Sequence, residues 1–474
     1  KLFGCGFAAY GALGIGKSEN HIIESETFVM EDVLTMESNN YHSLILTKDG
    51  KVYSWGANEF GQLGQNNTDN SNYAKLVLGE GGISYLDRIV DISAGSYGST
   101  AVNQFGWIYS WGNGTYGEMG NGLSVSKYVP VKTTLNTGIC SSMGSGHISA
   151  ISQNGNAYTW GRNTYGELGI GNTTNTSSVT KVAESVIDIS AAGYETILKY
   201  ENGNLSATGL NTSGQLATGT TTNSSSLIPV ILPSTVTQEN KVKYIKAGDS
   251  TTTIMLTDGT AWIVGNNAKG LLGNGTNTNS STFVQAQNKN ENIENNLIIG
   301  RNNGTNISLV NKTGRVYTSG LNTYGQIGDN TKDDVNNFTL MGYIEVQHPE
   351  KITMKVSDTK ILTGDDFAYV EKYFNVYQED ITKVPLIGNT KMLDSSIATY
   401  ENGTITANKV GKTTLMVKED STETVIYIPV EVLPENGVVV PDVKTGHNFT
   451  IALKSNGSVW SFGTNNNGEL GVGD

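Results

Sequence analysis

The sequence contains few of the residues that disulfide frameworks and metal sites require. Its 474 residues include two cysteines and five histidines, and charged residues make up 16% of the chain. Two cysteines cannot form a disulfide framework, and the pairing of Cys5 with Cys140 stays open. No cluster of cysteine and histidine has the spacing of zinc ligands. The sequence therefore predicts no metal site.

Catalytic motifs are missing as well. The glycine-rich segments are not followed by Lys-Ser or Lys-Thr, which a phosphate-binding loop requires. The acidic run from Asp329 to Asp334 lacks the glycine and the terminal glutamate of a calcium loop. His42 and His147 share one repeat position, where other copies carry glycine, glutamate, threonine or asparagine, so we predict packing or hydrogen-bonding roles for them. We predict no enzyme activity, no catalytic residue and no cofactor.

Charge and hydropathy limit the partners and the cellular locations that the sequence is compatible with. The net charge is −13, and the only arginines are Arg88, Arg162, Arg301 and Arg315. Because neutralisation of phosphates supplies nucleic-acid affinity, we expect no nucleic-acid partner. No stretch of about 18 apolar residues exists, which predicts no transmembrane segment. With abundant Asn, Ser, Thr and Gly, the composition agrees with an extracellular or bacterial cell-surface location. No signal peptide is visible, and the chain starts in the middle of a repeat, as it would after removal of a leader.

The positive signal is a ten-residue motif that occurs eight times. Its clearest copy runs from Trp55 to Gly64 and reads WGANEFGQLG. The glycine in its second position recurs at residues 6, 56, 112, 161, 209, 265, 320 and 463, in steps of 50, 56, 49, 48, 56, 55 and 143. A period near fifty indicates one supersecondary unit, repeated because no copy can bury its apolar face alone.

Each repeat also carries a hairpin signal. A glycine lies six residues before the motif glycine in seven units, usually preceded by Asn or Asp, as in Asp49-Gly50. Such pairs between β-rich runs provide the positive φ of a tight turn. Each repeat is therefore predicted to be a small antiparallel sheet, and the chain should contain almost no helix.

Sheets repeated at this period close most naturally into a β-propeller. The motif and its preceding strand pair resemble the repeat of the regulator of chromosome condensation family, whose members form seven-bladed propellers. The resemblance implies seven blades here, with the eighth copy overlapping at the seam of the ring. The residues expected to hold the repeats together are Trp55, Gly56, Trp111, Gly112, Trp160, Gly161, Gly209, Gly265, Gly320 and Gly463.

The long step of 143 residues predicts an insertion. Residues 344–434 lack the motif, and without them the last step returns to the common period. Around Gly403 and Gly411, apolar and polar residues alternate, which indicates strands with one buried face. This stretch resembles the group 2 bacterial immunoglobulin-like domains. The expected fold is all-β: a seven-bladed propeller from residues 1–343 and 435–474, with a β-sandwich (immunoglobulin-like) domain at 344–434 inserted between two blades.

Three functions stay open on this reading. The first is a non-enzymatic, secreted or cell-surface bacterial binding or adhesion module that recognises a protein or surface partner through propeller loops. The second is a structural subunit of an extracellular fibre or surface assembly, in which overlapping ends allow self-association by strand exchange. The third, implied by the resemblance, is guanine-nucleotide exchange and chromatin docking, which the acidic charge opposes. Whether the protein is a monomer or a polymer separates the first two.

A partner surface is predicted in the longer repeats. Units with steps of 55 or 56 residues carry extra residues after the motif, near 78–86, 232–241 and 286–295. The extra length is either loop drift or a surface specific to one partner. In the second interpretation Tyr85 is the aromatic anchor for a protein partner.

Overall fold

The computed structural model describes residues 2–7, 22–30, 33–39 and 42–288, and shorter stretches between 291 and 340 and between 389 and 463. These residues form β-strands, loops and a single 3₁₀ turn, Glu80–Gly82. No helix within them has the length and apolar character needed to cross a membrane. For this part of the chain, the predicted all-β structure with almost no helix is confirmed.

The chain begins with a strand pair and continues with four-stranded sheets. The first pair consists of β1 (Leu2–Phe7) and β2 (Ile22–Met30). The first blade contains β3 (Val33–Asn39), β4 (His42–Thr47), β5 (Val52–Gly56) and β6 (Ser71–Leu76). The second contains β7 (Ile89–Ala94), β8 (Gly98–Asn103), β9 (Ile108–Gly112) and β10 (Lys127–Lys132). The third contains β11 (Gly138–Met143), β12 (His147–Ser152), β13 (Ala157–Gly161) and β14 (Thr176–Ala183).

Three further blades follow the same pattern. The fourth contains β15 (Val186–Ala192), β16 (Glu195–Tyr200), β17 (Leu205–Gly209) and β18 (Ser224–Pro229). The fifth contains β19 (Val242–Ala247), β20 (Thr251–Leu256), β21 (Ala261–Gly265) and β22 (Ser280–Gln285). A short pair, β23 (Gln287–Asn288) and β24 (Glu291–Asn292), precedes the sixth blade. That blade contains β25 (Asn296–Ile299), β26 (Asn306–Asn311), β27 (Val316–Gly320) and β28 (Val335–Leu340).

The described residues form six four-stranded blades, so the predicted count of seven is wrong. The motif copies at Cys5 and Phe462, which contributed to that count, lie in smaller sheets. One is the β1–β2 pair, and the other has three strands, β34 (Asp442–Thr445), β35 (Phe449–Leu453) and β36 (Val459–Gly463). A sequence period counts repeats, but it does not determine how many strands of each repeat pair into one sheet.

The predicted immunoglobulin-like sandwich is not evident in the described part of the insertion. In the described part of the insertion, β29 (Asn389–Met392), β32 (Gly411–Lys418) and β33 (Val425–Val432) form one three-stranded sheet, and β30 (Ala398–Glu401) and β31 (Thr404–Ala407) form a separate hairpin. The strand–turn–strand predicted around Gly403 is confirmed by that hairpin. Alternation identifies a strand with one buried face, but it does not specify a second sheet to cover that face. Residues 341–388 lie outside the described residues, and the boundaries 344 and 434 stay predictions.

The two ends of the propeller differ in the loops they carry. Within a blade, successive strands are antiparallel, so the loops after its first and third strands lie at the same end. In the second blade the peptide N–H of Asn113 donates to the carbonyl of Tyr97 at 2.9 Å, which joins these two loops. We call this end the motif face, because the ten-residue motifs form its loops. The hairpin glycines and the connections between blades lie at the opposite end, the hairpin face.

The apolar core lies between neighbouring blades. One cluster joins Leu44 of the first blade to Ile92 and Trp111 of the second, and similar clusters join the later blades. The indole Nε1 of Trp111 donates to the carbonyl of Gln62 at 2.8 Å, and that of Trp160 donates to the carbonyl of Glu118 at 2.9 Å. A motif tryptophan therefore ties its blade to the motif loop of the preceding blade.

The two repeat histidines form a second set of contacts between blades. His42 Nε2 lies 3.0 Å from Ser99 Oγ, and His147 Nε2 lies 3.0 Å from Thr196 Oγ1. Both rings are buried. Their predicted packing and hydrogen-bonding roles are confirmed.

Gly117 marks a place where two blades approach too closely for a side chain. Its φ is +93°, and an added Cβ would lie 2.6 Å from the Cα of Ser177 in the next blade. Gly122 has a φ of +86° and nothing within 4 Å of the same atom, so it is a matched control. Both substitutions to alanine strain the backbone, but only Gly117→Ala also forces the blades apart.

We expect Gly117→Ala to lower the free energy of unfolding by about 2 kcal/mol more than Gly122→Ala, as measured by urea denaturation. Equal losses for the two variants would contradict the close approach of the blades at this position.

Candidate protein-binding site

The motif loops of the first three blades each hold an aromatic side chain in a fixed position. The peptide N–H of the aromatic residue donates to the side chain two positions later: Phe60 to Gln62 Oε1 at 2.9 Å, Tyr116 to Glu118 Oε2 at 2.8 Å, and Tyr165 to Glu167 Oε2 at 2.8 Å. The accepting side chains are buried, whereas the aromatic side chains are half-buried. The motif thus fixes the turn and presents the ring at the motif face.

Arg162 lies among three of the tyrosine rings on this face. Its Cζ is 4.5 Å from the ring centroid of Tyr194, 5.4 Å from that of Tyr116 and 5.9 Å from that of Tyr165. The rings of Tyr165 and Tyr194 are 5.2 Å apart. A guanidinium over an aromatic face is attracted by the ring quadrupole, typically by about 0.5–2 kcal/mol. We call Tyr116, Arg162, Tyr165 and Tyr194 the Arg162 cluster.

Three consecutive blades contribute to the Arg162 cluster. Tyr116 comes from the second, Arg162 and Tyr165 from the third, and Tyr194 from the first loop of the fourth. A further aromatic pair, Phe60 and Tyr97, has its ring centroids 4.9 Å apart and extends the aromatic surface toward the first blade. The motif face therefore concentrates tyrosine and arginine, which are enriched at the centres of protein interfaces.

Two buried glutamates lie beside the Arg162 guanidinium. Arg162 Nε donates to Thr164 Oγ1 at 3.2 Å and lies 3.9 Å from Glu167 Oε1. Burial raises the pKa of Glu118 to about 7 and also raises the pKa of Glu167, while the charge of Arg162 opposes both shifts. The net charge of the site therefore depends on pH near neutrality.

Tyr85, the partner anchor predicted from the sequence, lies on the hairpin face. Its side chain is 52% exposed, and that of Ile83 is 78% exposed. Phe105, in the hairpin of the second blade, is 37% exposed and has the Cζ of Arg88 5.5 Å from its ring centroid. Tyr85 is accessible, but it is not part of the Arg162 cluster. Its role in binding a partner stays a prediction.

The three longer connections also lie on the hairpin face. Each joins the fourth strand of one blade to the first strand of the next. The connection at 286–295 includes β23 and β24 and is described only in part. The extra residues found in the sequence therefore all lie in the connections between blades. Their role as a partner surface stays a prediction.

Asp334, in the acidic run at 329–334, stabilises a motif loop and forms an ion pair. Asp334 Oδ1 accepts a hydrogen bond from the peptide N–H of Asn322 at 2.9 Å, and its Oδ2 lies 3.2 Å from Lys269 Nζ. Asp329 lies outside the described residues. Across the part of the chain that the structure describes, no group of three or more His, Cys, Asp or Glu side chains is arranged to hold a metal ion.

The motif and the fold are matched by a known family. The RCC1-like domain matches residues 1–369, and the regulator of chromosome condensation (RCC1) repeat matches residues 442–469. The chain belongs to the RCC1-like domain family. The repeat family predicted from the motif is thereby confirmed, and it is a family of protein-interaction scaffolds.

Curated RCC1-like relatives match part of the chain. The human E3 ubiquitin-protein ligase HERC2 is 34% identical over 134 residues, which are 27% of this chain and 3% of that protein. The Arabidopsis thaliana ultraviolet-B receptor UVR8 is 32% identical over 132 residues, 27% of this chain and 29% of the receptor. The Drosophila melanogaster regulator of chromosome condensation is 30% identical over 148 residues, 30% of this chain and 26% of that protein. The chain thus spans less than a third of each of these relatives.

Two solved RCC1-like structures resemble this one. Human WBSCR16 is 20% identical, with a TM-score of 0.60, covering 72% of this chain and 93% of that one. Prp20p from Saccharomyces cerevisiae, which is described as binding Gsp1p and histones, is 17% identical, with a TM-score of 0.60, covering 72% of this chain and 85% of that one. At these identities the likeness shows the fold alone.

The RCC1-like repeat residues occupy equivalent places in the blades. Six motif glycines end the third strands with φ between 101° and 118°: Gly56, Gly112, Gly161, Gly209, Gly265 and Gly320. Gly463 ends β36. Trp55, Trp111 and Trp160 precede the first three of these glycines and are buried.

The Arg162 cluster was missed in the sequence, although one signal for it was present. The third motif position holds Ala57, Asn113, Leu210, Asn266 or Leu321 in the other five blades, and arginine only in the third. An arginine at a position that is otherwise small, amide or aliphatic marks a departure from the repeat. That departure would have identified Arg162 as a residue that the fold alone does not require.

Proposed function

We propose that this RCC1-like chain is a non-enzymatic protein-binding module on a bacterial cell surface, and that its partner binds the Arg162 cluster. The observation that carries the proposal is the Arg162 guanidinium among three tyrosine rings from three blades. Tyrosine offers a large, rigid contact area at low cost in conformational entropy, and arginine adds directional donors. The cluster lies on loops held by the rigid blades, which is where binding residues concentrate.

The composition, rich in Asn, Ser, Thr and Gly with 16% charged residues, supports the proposed location. A net charge of −13 with four arginines suits a partner other than nucleic acid. Among the described residues, the tyrosines and Arg162 form no nucleophile–base arrangement, so the cluster offers contacts rather than a reaction.

The proposal predicts that Arg162→Ala weakens partner binding. Intact cells would be surface-biotinylated, and the tagged protein used to capture its partner before and after substitution. We expect Arg162→Ala to reduce capture at least tenfold, which corresponds to about 1.4 kcal/mol. Arg88→Ala is the matched control, because Arg88 also lies over an aromatic ring but on the hairpin face. It should leave capture unchanged, and circular dichroism melts would establish that both variants fold.

Capture that survives Arg162→Ala would contradict the proposed site. Loss on Arg88→Ala alone would move the site to the hairpin face, where Tyr85 lies. If biotin labels the protein only after cell lysis, the surface location is wrong and an intracellular scaffold replaces it.

A further inference from the structure

The hydrogen-bond donors of Arg162 are mostly unused. Its Nε donates to Thr164 Oγ1, and its backbone N–H donates to the carbonyl of Gly146 at 2.8 Å. Its terminal Nη groups donate to no residue in the part of the chain that the structure describes. The side chain of Arg162 is only 20% exposed, because the three tyrosines surround it. A largely desolvated guanidinium with free donors is poised for a ligand that accepts two hydrogen bonds.

The neighbouring carboxylates of Glu118 and Glu167 do not accept hydrogen bonds from the Nη groups of Arg162. Glu167 Oε1 is 3.9 Å from Arg162 Nε, beyond hydrogen-bond distance, and no atom of the described residues donates a hydrogen bond to it. Each glutamate uses its Oε2 to accept the peptide N–H of a tyrosine in its own loop. Glu118 and Glu167 therefore compensate the charge of Arg162 through space and leave the donor side of the guanidinium unoccupied.

We infer that the Nη groups of Arg162 bind the side-chain carboxylate of an aspartate or glutamate in the protein partner, with the tyrosine rings packing against the residues beside it. A carboxylate matches the two parallel donors of a guanidinium, and the aromatic walls exclude water that would weaken the pair. This inference rests on the proposed function, because it names the chemistry of the partner at the same site.

Glu118 makes this binding depend on pH. Among the charged and titratable residues, Arg162 from the next motif loop acts on Glu118 through its charge, and Tyr116 of the same loop donates its peptide N–H to Glu118 Oε2 at 2.8 Å. Because burial raises the pKa of Glu118 to about 7, its negative charge is present at pH 8 and mostly absent at pH 6. An incoming carboxylate therefore meets less repulsion at pH 6.

The chain supplies its own isosteric control for this effect. Gln62 and Gln215 occupy the position of Glu118 in the first and fourth blades and accept the equivalent peptide N–H with Oε1. Glu118→Gln should therefore keep the loop while removing its charge. The variant should bind a carboxylate at pH 8 about as well as the wild type does at pH 6.

The test uses nuclear magnetic resonance of the full chain with ¹⁵N-labelled arginine. Only four Nε–H signals are expected, and Arg162→Lys assigns the one of interest. The first probe is a capped peptide with central Asp-Asp, the second its Asn-Asn counterpart, and the third a neutral peptide with a free C-terminal carboxylate. We expect the capped Asp-Asp peptide to shift the Arg162 signal, at least threefold more tightly at pH 6 than at pH 8. The Asn-Asn peptide should not shift it, and Glu118→Gln should show no such pH dependence.

Several outcomes would overturn the inference. These are an Arg162 signal that does not move, one that moves equally with Asn-Asn, and one that responds only to the free C-terminus. A pH dependence that persists in Glu118→Gln would remove Glu118 from the account. If the Asp-Asp peptide does not bind but Arg162→Ala still abolishes partner capture, then the partner binds the Arg162 cluster without a side-chain carboxylate. The proposed binding site would then stand, and the inferred ligand chemistry would be wrong.

Discussion

Trp111→Ala is expected to lower the free energy of unfolding by about 3–5 kcal/mol. Trp111 is fully buried in the cluster that joins the first two blades, and its Nε1 donates to the carbonyl of Gln62 at 2.8 Å. Burial of an indole removes about 150–250 Å² of surface area from water. Alanine at this position would leave a cavity between two blades, which cannot close unless both sheets move. The Gln62 carbonyl keeps one partner, because Ser99 Oγ also donates to it at 2.9 Å. The loss therefore reports mainly on packing.

The measurement is urea denaturation followed by circular dichroism. Trp262→Ala is a suitable control, because Trp262 is half-buried and its Nε1 donates to Thr260 Oγ1 within its own hairpin. It should lose less than half as much stability as Trp111→Ala. A loss below about 1 kcal/mol for Trp111→Ala would be incompatible with its position between blades.

Glu118→Gln is expected to raise the free energy of unfolding by about 2–4 kcal/mol at pH 8 and to change it little near pH 4. Burial raises the pKa of Glu118 from its usual 4.5 to about 7 in the folded protein. Between these values the folded protein holds the proton more tightly than the unfolded chain does. The stability of the wild type therefore falls as pH rises through this window and levels off above it. Glutamine does not ionise and escapes that loss.

Unfolding curves of both proteins from pH 4 to pH 8 would test this dependence. Glu59→Gln removes a carboxyl from the exposed part of the first motif loop and is the control for the loss of one negative charge. If Glu118→Gln is no more stable than the wild type at pH 8, then the carboxyl is not desolvated as its burial implies.

Local structure was largely predictable from the sequence. The glycines at 50, 106, 155, 203 and 259 have positive φ and join the second and third strands of their blades, as their spacing from the motif indicates. The hairpin around Gly403 was predicted by alternation. Turn chemistry and alternation act over a few residues, so one sequence is enough to read them.

The number of blades, the fold of the insertion and the Arg162 cluster could not be predicted from the sequence, because they depend on how residues far apart in the chain come together. Seven periods were counted, but the first and last motif copies lie in two- and three-stranded sheets. The immunoglobulin-like sandwich needed a second sheet over β29, β32 and β33, and strand pattern alone does not supply one. The Arg162 cluster joins residues 116, 162 and 194 from three blades, so only the assembled propeller brings them together.

The proposed binding of a protein partner to the Arg162 cluster on the motif face can be tested by photo-crosslinking in intact cells. A benzophenone amino acid would replace Tyr194 in one strain and Tyr85, on the hairpin face, in another. We expect the Tyr194 position to form a crosslink to one protein, and we expect Arg162→Ala in the same chain to abolish it. Crosslinks from the Tyr85 position alone, or from Tyr194 regardless of Arg162, would contradict it.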